Sequence, residues 1–472
     1  MSDRRMEWEE LHSRLEHPPV ELEYVVQRAS ARQKKRRRFN LRCEISLGSL
    51  IGCFSAFVLM INFLPSFAYA CGKVPLLKEL AKAVAWSQSL SAAVENEYVQ
   101  NIGQEQSKNG ITIRMEYVIV DQKQVNVFYT LDADQSFFPL EANPQIYHLD
   151  GSELSGYSLQ FGSLSEQTNE IQSFTADFID TQVPDGMQVV MNIYARKSQE
   201  EATIENAQQD MLAEADEEPV KEPLASVRFY LEFDPHYTEQ GTTFPISQTF
   251  QMDEQTLTLR TADIYPTHMR LNFDFASENS SWLKGLEFYL ENEKGERFDT
   301  IQNGISATGE PDSPAMASYW ANSDFFSNSQ HLTMYITRAT WLEKSMEKVR
   351  IDLKNNTAET LPSGVKLLNA EKKKNGWIVS FLAHRHSENS FYQVWDWSYY
   401  GGDGVTEYSL SSGSTLTNGS YWDADKNAYE AIPDGYFLVE LPLVDYTEDT
   451  VWLCPAFTDI SQQETPVRII IK

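Results

Sequence analysis

The sequence predicts a mainly β protein with short helices, one transmembrane helix, a juxtamembrane helix and then about three tandem immunoglobulin-like β-sandwich units. Three observations carry that class. Ile45–Leu64 is an uncharged apolar run behind a dense basic block. A strand–turn–strand pattern of period two recurs at three places beyond it. Three similar strands, "VRFYLEF" from Val227, "VRIDLK" from Val349 and "VRIIIK" from Val467, read as the closing strands of three units.

Residues 1–43 are too few for a core of their own. Trp8, Leu11 and Leu15 lie at spacings of three and four, and Leu22, Val25, Val26 and Ala29 follow the i, i+3, i+4, i+7 face of a helix. Pro18 and Pro19 separate the two stripes. A short helix with one apolar stripe and nothing to bury it against is expected to bind a partner, or to lie on a membrane surface. The acidic Glu7, Glu9, Glu10, Glu21 and Glu23 favour the protein partner.

The run at 44–66 is read as a retained membrane helix. Twenty residues rise about 30 Å as a helix, the thickness of a bilayer core. A cleaved signal peptide has a shorter apolar run and a shorter preface, although "AYA" before Cys71 has the look of a cleavage site. The block Lys34–Arg38 puts the N-terminus in the cytoplasm and the bulk outside, by the positive-inside rule. The net charge of −29 divides accordingly: residues 1–43 carry +4, whereas 28 basic and 60 acidic residues follow Ser66. An acidic body of this kind repels phosphates, so nucleic acid is not expected as a direct partner.

Residues 67–100 are expected to hold a juxtamembrane helix or helix pair starting near Pro75. The first β unit spans 101–235, with the hairpin Gly110–Asp132 and an acidic insertion at 198–223. The second spans 244–355 and holds the hairpin Gln255–Ala276. The third spans 363–472 and holds the hairpin Gly364–His386, with a turn signal at Asn375-Gly376. "VPDGMQVVMNIYA" from Val183 and "IPDGYFLVELPLV" from Ile432 read as matching strands of units one and three.

No HExxH, GxSxG, CxxC or phosphate-cradling glycine loop is present, so neither an enzyme nor a cofactor is expected. Four cysteines do not make a disulfide scaffold; Cys454 reads as a buried thiol. His384 and His386 share a strand face without an evident third metal ligand. Asp423, Asp425, Asn427 and Asp434 fall at positions 1, 3, 5 and 12 of a calcium loop. Ala428 stands where the sharp turn needs glycine, and Asp434 replaces the usual bidentate glutamate. Trp395, Trp397 and Tyr399 share one strand face. Exposed, they form a ligand surface for sugars or a peptide; buried, they fill a core.

The stretch from Leu15 to Leu131 includes "PSFAYACGKVPLLKELAKAV" and "VENEYVQNIGQEQSKNGITIRMEYVIVDQKQVNVFYTL". It resembles the Gram-positive domain-of-unknown-function 4179 family. The resemblance implies a membrane-bound regulator of an extracytoplasmic-function sigma factor, with immunoglobulin-like companions. The His-x3-Cys-x2-Cys pattern of zinc-binding anti-sigma domains is missing, because His12, His17 and Cys43 do not have that spacing. Sigma binding would then fall to Trp8, Leu11, Leu15, Leu22, Val25 and Val26.

The expected function is a single-pass sensor of anti-sigma type. Its partners would be a sigma factor on the cytoplasmic side, an unknown envelope ligand outside and the lipid bilayer through one helix. The rival reading is a membrane-anchored adhesion or glycan- or peptide-binding protein.

Overall fold

A computed structural model describes residues 75–472, apart from 162–164, 166, 196–221, 239–240, 302–304, 310–312, 386–392, 411–413, 417–418, 424–425 and 427. The chain parts into two compact units, 1–70 and 71–472. All that follows concerns the second.

Two helices come first, α1 (Pro75–Ala83) and α2 (Gln88–Glu95). Proline at the first position of α1 loses no helical hydrogen bond. Ser87 caps α2, its hydroxyl accepting from Leu90 N at 3.3 Å.

Strands then sort into three two-sheet modules, each around its own apolar core. Module 1 holds β1 (Gln100–Lys108), β2 (Ile111–Val120), β3 (Gln124–Asp132), β4 (Leu140–Tyr147), β5 (Tyr157–Phe161), β6 (Ile171–Phe178), β7 (Gly186–Ala195) and β8 (Ala225–Glu232). The sheet β1-β2-β3-β6-β5 covers the sheet β4-β7-β8. A bulge between Met115 and Tyr117 shifts the alternation of β2. Ile111, Ile113 and Met115 face the inter-sheet core, while Tyr117 and Ile119 turn outward with Phe128. That outer face is buried under Leu80, Val84, Leu90 and Ala93 of the helix pair. "MEYVIV" is therefore nearly continuous in apolar character because both of its faces are covered.

Module 2 holds β9 (Thr242–Met252), β10 (Gln255–Ile264), β11 (Met269–Phe275), β12 (Ser281–Asn292), β13 (Arg297–Asp299), β14 (Ala307–Gly309), β15 (Met316–Ala321) and β16 (Leu332–Glu343). Module 3 holds β17 (Val349–Asp352), β18 (Thr357–Ala358), β19 (Val365–Lys373), β20 (Gly376–His384), β21 (Trp395–Tyr400), β22 (Glu407–Ser409), β23 (Ser414–Leu416), β24 (Ser420–Asp423), β25 (Ala428–Ala431), β26 (Tyr436–Val444) and β27 (Thr450–Pro455). The last strand, β28 (Asp459–Ile470), returns to module 2. The sheets of module 2 are β14-β15-β11-β10-β9 and β13-β12-β16-β28. Those of module 3 are β18-β17-β27-β21-β22 and β19-β20-β26-β23, with β24-β25 as a separate hairpin.

All three hairpins read from period two are present, as β2–β3, β10–β11 and β19–β20. The fold is mainly β: among the described residues 60% are strand and 7% helical. Three tandem immunoglobulin-like units do not stand. Module 3 lies in the chain between β16 and β28 of module 2, so the ranges 244–355 and 363–472 cut across sheets. "VRIDLK" pairs with β27 rather than β16, and "VRIIIK" pairs with β16 rather than β27. Repetition identifies similar strands but not the edge each selects. The likeness of β7 to β26 is also one of sequence only, because β26 pairs with β20 in the hairpin sheet and β7 lies in the opposite sheet of its module.

The single-pass reading needs correction as well. Among the described residues no helix is long and apolar enough to cross a membrane, since α1 has nine residues and α2 eight. The expected helix at 44–66 lies outside the described residues. The localisation built on it, N-terminus inside and bulk outside, finds no support in the structure.

Closure of module 2 by the end of the chain has an energetic consequence. Ile469 is fully buried in that core, and Lys472 Nζ reaches the buried Asp324 carboxylate at 2.7 Å. Truncating Ile469 to Ala is expected to cost about 2–5 kcal/mol, as large-to-small core changes do. Hydrogen exchange should then speed up in β10, β12 and β16 of module 2, while β20 and β26 of module 3 keep their protection.

Candidate functional site

The most elaborate polar arrangement lies where modules 1 and 2 meet. It starts from two hairpin turns. Asp121 opens the β2–β3 turn, where its Oδ1 accepts from Lys123 N at 2.8 Å and Gln124 N at 2.9 Å. Its Oδ2 faces the other way and accepts from Thr267 N at 3.0 Å and Thr267 Oγ1 at 2.6 Å. Thr267 and His268 form the β10–β11 turn, and Arg270 is the second residue of β11.

The chain of contacts continues through His268. Its Nδ1 lies 2.8 Å from Thr267 Oγ1, and Arg270 Nε donates to its Nε2 at 3.0 Å. One proton arrangement satisfies every partner. Arg270 can only donate, so Nε2 accepts. Nδ1–H then donates to the threonine oxygen, whose own proton goes to Asp121. His268 is the neutral Nδ1–H tautomer, and burial together with Arg270 and Lys123 holds its pKa well below the ordinary value.

Arg270 is also gripped by module 1. Its Nη1 and Nη2 donate to Ile179 O at 3.1 Å and Phe178 O at 3.0 Å. The guanidinium lies 4.9 Å from the Trp320 ring centre. Lys123 Nζ adds bonds to Ile179 O at 3.2 Å and Thr181 O at 2.8 Å. Asp121 and His268 are wholly buried, so this chain of side chains works as an interlock and not as a reactive centre open to substrate.

A second buried carboxylate, Asp177, lies next to it. Gln124 Nε2 donates to Asp177 Oδ1 at 2.9 Å, and Asn126 Nδ2 donates to Gln124 Oε1 at 2.9 Å. Burial pushes the Asp177 carboxyl up to about 6, against the opposing pull of Gln124 and Arg270. Asp177, Gln124, Asn126 and Thr267 line a cavity of 20 Å³ with Ser87 and Leu90 of the helix pair, enough for one water molecule. The pair is tied to both modules. Tyr98 Oη donates to Tyr237 O at 2.6 Å, and Ser89 meets Asn322 Oδ1 and Ser323 N.

None of Asp121, Asp177, Thr267, His268 or Arg270 is signalled in the sequence. Arg270 breaks no pattern, because alternating Met269, Leu271 and Phe273 leave it on the face that reads as solvent.

The sequence-derived candidates have other settings. Trp8, Leu11, Leu15, Leu22, Val25 and Val26 lie outside the described residues. Trp395 and Tyr399 are buried in the core of module 3, while Trp397 is 57% exposed. The pairing of β21 with β27 shifts register between Trp395 and Tyr399, so the three do not share one face. Of the calcium candidates, Asp423 is buried and accepts from Lys426 N at 3.2 Å, and Asp434 lies in the turn before β26. Asp425 and Asn427 lie outside the described residues. Among the described residues no group of three metal-ligating side chains occurs. Cys454 is a free, partly buried thiol.

Fold and site together define a β-rich protein of linked two-sheet modules, with a helix pair wedged into a polar interlock. Residues 38–133 match the family described as "Domain of unknown function (DUF4179)", which the sequence resemblance anticipated. Residues 241–367 match the "Family of unknown function (DUF5643)". No curated protein matches the sequence. Among solved structures, the "conserved domain protein from Bacillus anthracis" is 14% identical with a TM-score of 0.36, over 60% of this chain and 85% of that one.

The two buried titrating groups have opposite pH signatures. Asp177 holds its proton more tightly folded than unfolded. Its contribution is therefore present at acid pH and lost as pH rises through about 6. His268 is depressed when folded, so its contribution is present above its ordinary pKa and lost on acidification. Asp121, also raised by burial, acts with the sign of Asp177. Asp177→Asn should raise stability near neutral pH by up to about 3 kcal/mol. It should also steepen the loss of stability on going from about pH 6.5 to 4, because Asp177 then no longer offsets the histidine term. Urea denaturation across that range measures both effects.

Proposed function

We propose that this chain is a regulator of anti-sigma type. The N-terminal stripes Trp8, Leu11, Leu15 and Leu22, Val25, Val26 bind a sigma factor, and the β-rich body receives the signal. The observation that supports this reading is the extent of the DUF4179 match. It runs without a break from residue 38 through α1 and α2 into β3, so the family segment includes both the helix pair and the Asp121 turn. A ligand of the β-rich body that alters the interlock would alter the helix pair, which is the first described structure after the N-terminal segment. Full-length protein is expected to capture a sigma factor from its own cells. The triple substitution Leu22→Asp, Val25→Asp, Val26→Asp should reduce that capture at least tenfold without changing the melting of the β-rich body. Capture of no sigma factor by the unaltered chain sinks the proposal.

A second reading rests on the exposed aromatic side chains of module 3. Trp397 is exposed, and Trp422 and Tyr429 stand out on the β24–β25 hairpin with ring centres 5.3 Å apart. Such rings suit stacking on sugars or a peptide. On this reading Trp397→Ala and Tyr429→Ala each weaken binding to cell-wall glycans at least fivefold in a pull-down. Unchanged retention rules it out.

A further inference from the structure

The three strands β7, β16 and β27 occupy the same place in their modules, and each carries a closing strand on one edge. The registers agree. Val227, Val467 and Val349 lie opposite Met191, Ile336 and Leu453, and the arginine after each valine lies opposite Val190, Tyr335 and Trp452. In module 1 the closing strand β8 is the one that follows β7 in the chain. Modules 2 and 3 have traded theirs.

Several features make the two traded strands interchangeable. "VRIDLK" and "VRIIIK" direct Val349, Ile351 and Leu353, or Val467, Ile469 and Ile471, into the receiving core. Each ends in a lysine paired with an aspartate, Lys354 with Asp449 at 3.7 Å and Lys472 with Asp324 at 2.7 Å. The stretches from the register position on each penultimate strand to the next valine in the chain, 337–348 between Ile336 and Val349 and 454–466 between Leu453 and Val467, are of nearly equal length. The DUF5643 match, 241–367, takes in β17 and not β28, so the family segment carries its own closing strand.

We propose that modules 2 and 3 form a bistable pair. In the exchanged state seen here, each closes the other. In a self-closed state, β17 seats on β16 and β28 seats on β27. The same aliphatic side chains are buried in both states, so the hydrophobic contributions nearly cancel. The balance is set by the crossover, where Arg338–Trp341 pairs with Asp459–Gln462. Asp253 latches that crossover. Its carboxylate accepts from Trp341 Nε1 at 2.8 Å, from Gln463 Nε2 at 3.2 Å and from Ser461 Oγ. Asp253 and Glu254 hold positive φ in a two-residue turn, which places the carboxylate at the crossing. Thr458 adds a second tie, donating from N to Trp341 O at 2.7 Å and accepting at Oγ1 from Glu343 N at 2.8 Å. Two packings of one sequence separated by such a small set of contacts are the material of a switch. This inference stands apart from the sigma-factor reading.

Disulfide trapping in the full chain, with its four native cysteines replaced by serine, tests it. Tyr335→Cys with Arg468→Cys reports the exchanged state, and Tyr335→Cys with Arg350→Cys reports the self-closed one. Tyr335→Cys with Arg228→Cys is the control. The first pair is expected to lock at once. The second should lock at least tenfold faster than the control, and several-fold faster again with Asp253→Ala. A second pair no faster than the control, with or without Asp253→Ala, overturns the proposal, as does failure of the first pair to lock. On the unaltered chain, amide protection of β17 and β28 should be lost jointly and faster than that of β12 and β20. Protection of either strand equal to that of the cores refutes it.

Discussion

Arg270 carries a full positive charge into a place from which water is almost excluded, and the surrounding groups are arranged to answer it. An unpaired buried charge would cost several kcal/mol. Two carbonyls of module 1, an imidazole, a threonine hydroxyl and the Asp121 carboxylate together meet that cost. Every hydrogen bond in the chain has one permitted direction, fixed at one end by the guanidinium and at the other by the carboxylate. Modules 1 and 2 therefore have one way of meeting, which apolar packing alone would leave looser.

The helix pair depends on that meeting. Its apolar side buries the outer face of β2 and β3, which the bulge in β2 has turned toward it. Its polar contacts reach past module 1 to Asn322 and Ser323 of module 2. A helix of eight or nine residues is marginal alone, so α1 and α2 owe their order to both modules. Helices held in this way depend on the junction beneath them.

Module closure follows a different logic. The three closing strands share the V-R start and the inward alternation, and all three seat in the same register. In module 1 the next strand in the chain closes the core, although 196–221 intervenes. In modules 2 and 3 short connectors lie beside each other and are stitched together by Asp253 and Thr458, so exchange gains pairing that self-closure lacks. Specificity thus comes from the crossover and not from the strands.

The sequence by itself determined the β class, the three hairpins, the helix pair from Pro75 and the family of residues 38–133. Each of these is written locally, in period-two alternation, in a turn or proline signal, or in a contiguous motif. It could not place Trp397 apart from Trp395 and Tyr399, because a register shift between two strands is a property of their pairing. It could not mark Asp121, His268 and Arg270 as one chain, since they come from turns 146 residues apart and Arg270 sits where a surface arginine would. Nor could it say which closing strand closes which module, because two strands of nearly equal shape fit either core. Tertiary structure decided these points, where buried charge and the pairing of the connectors favour one arrangement.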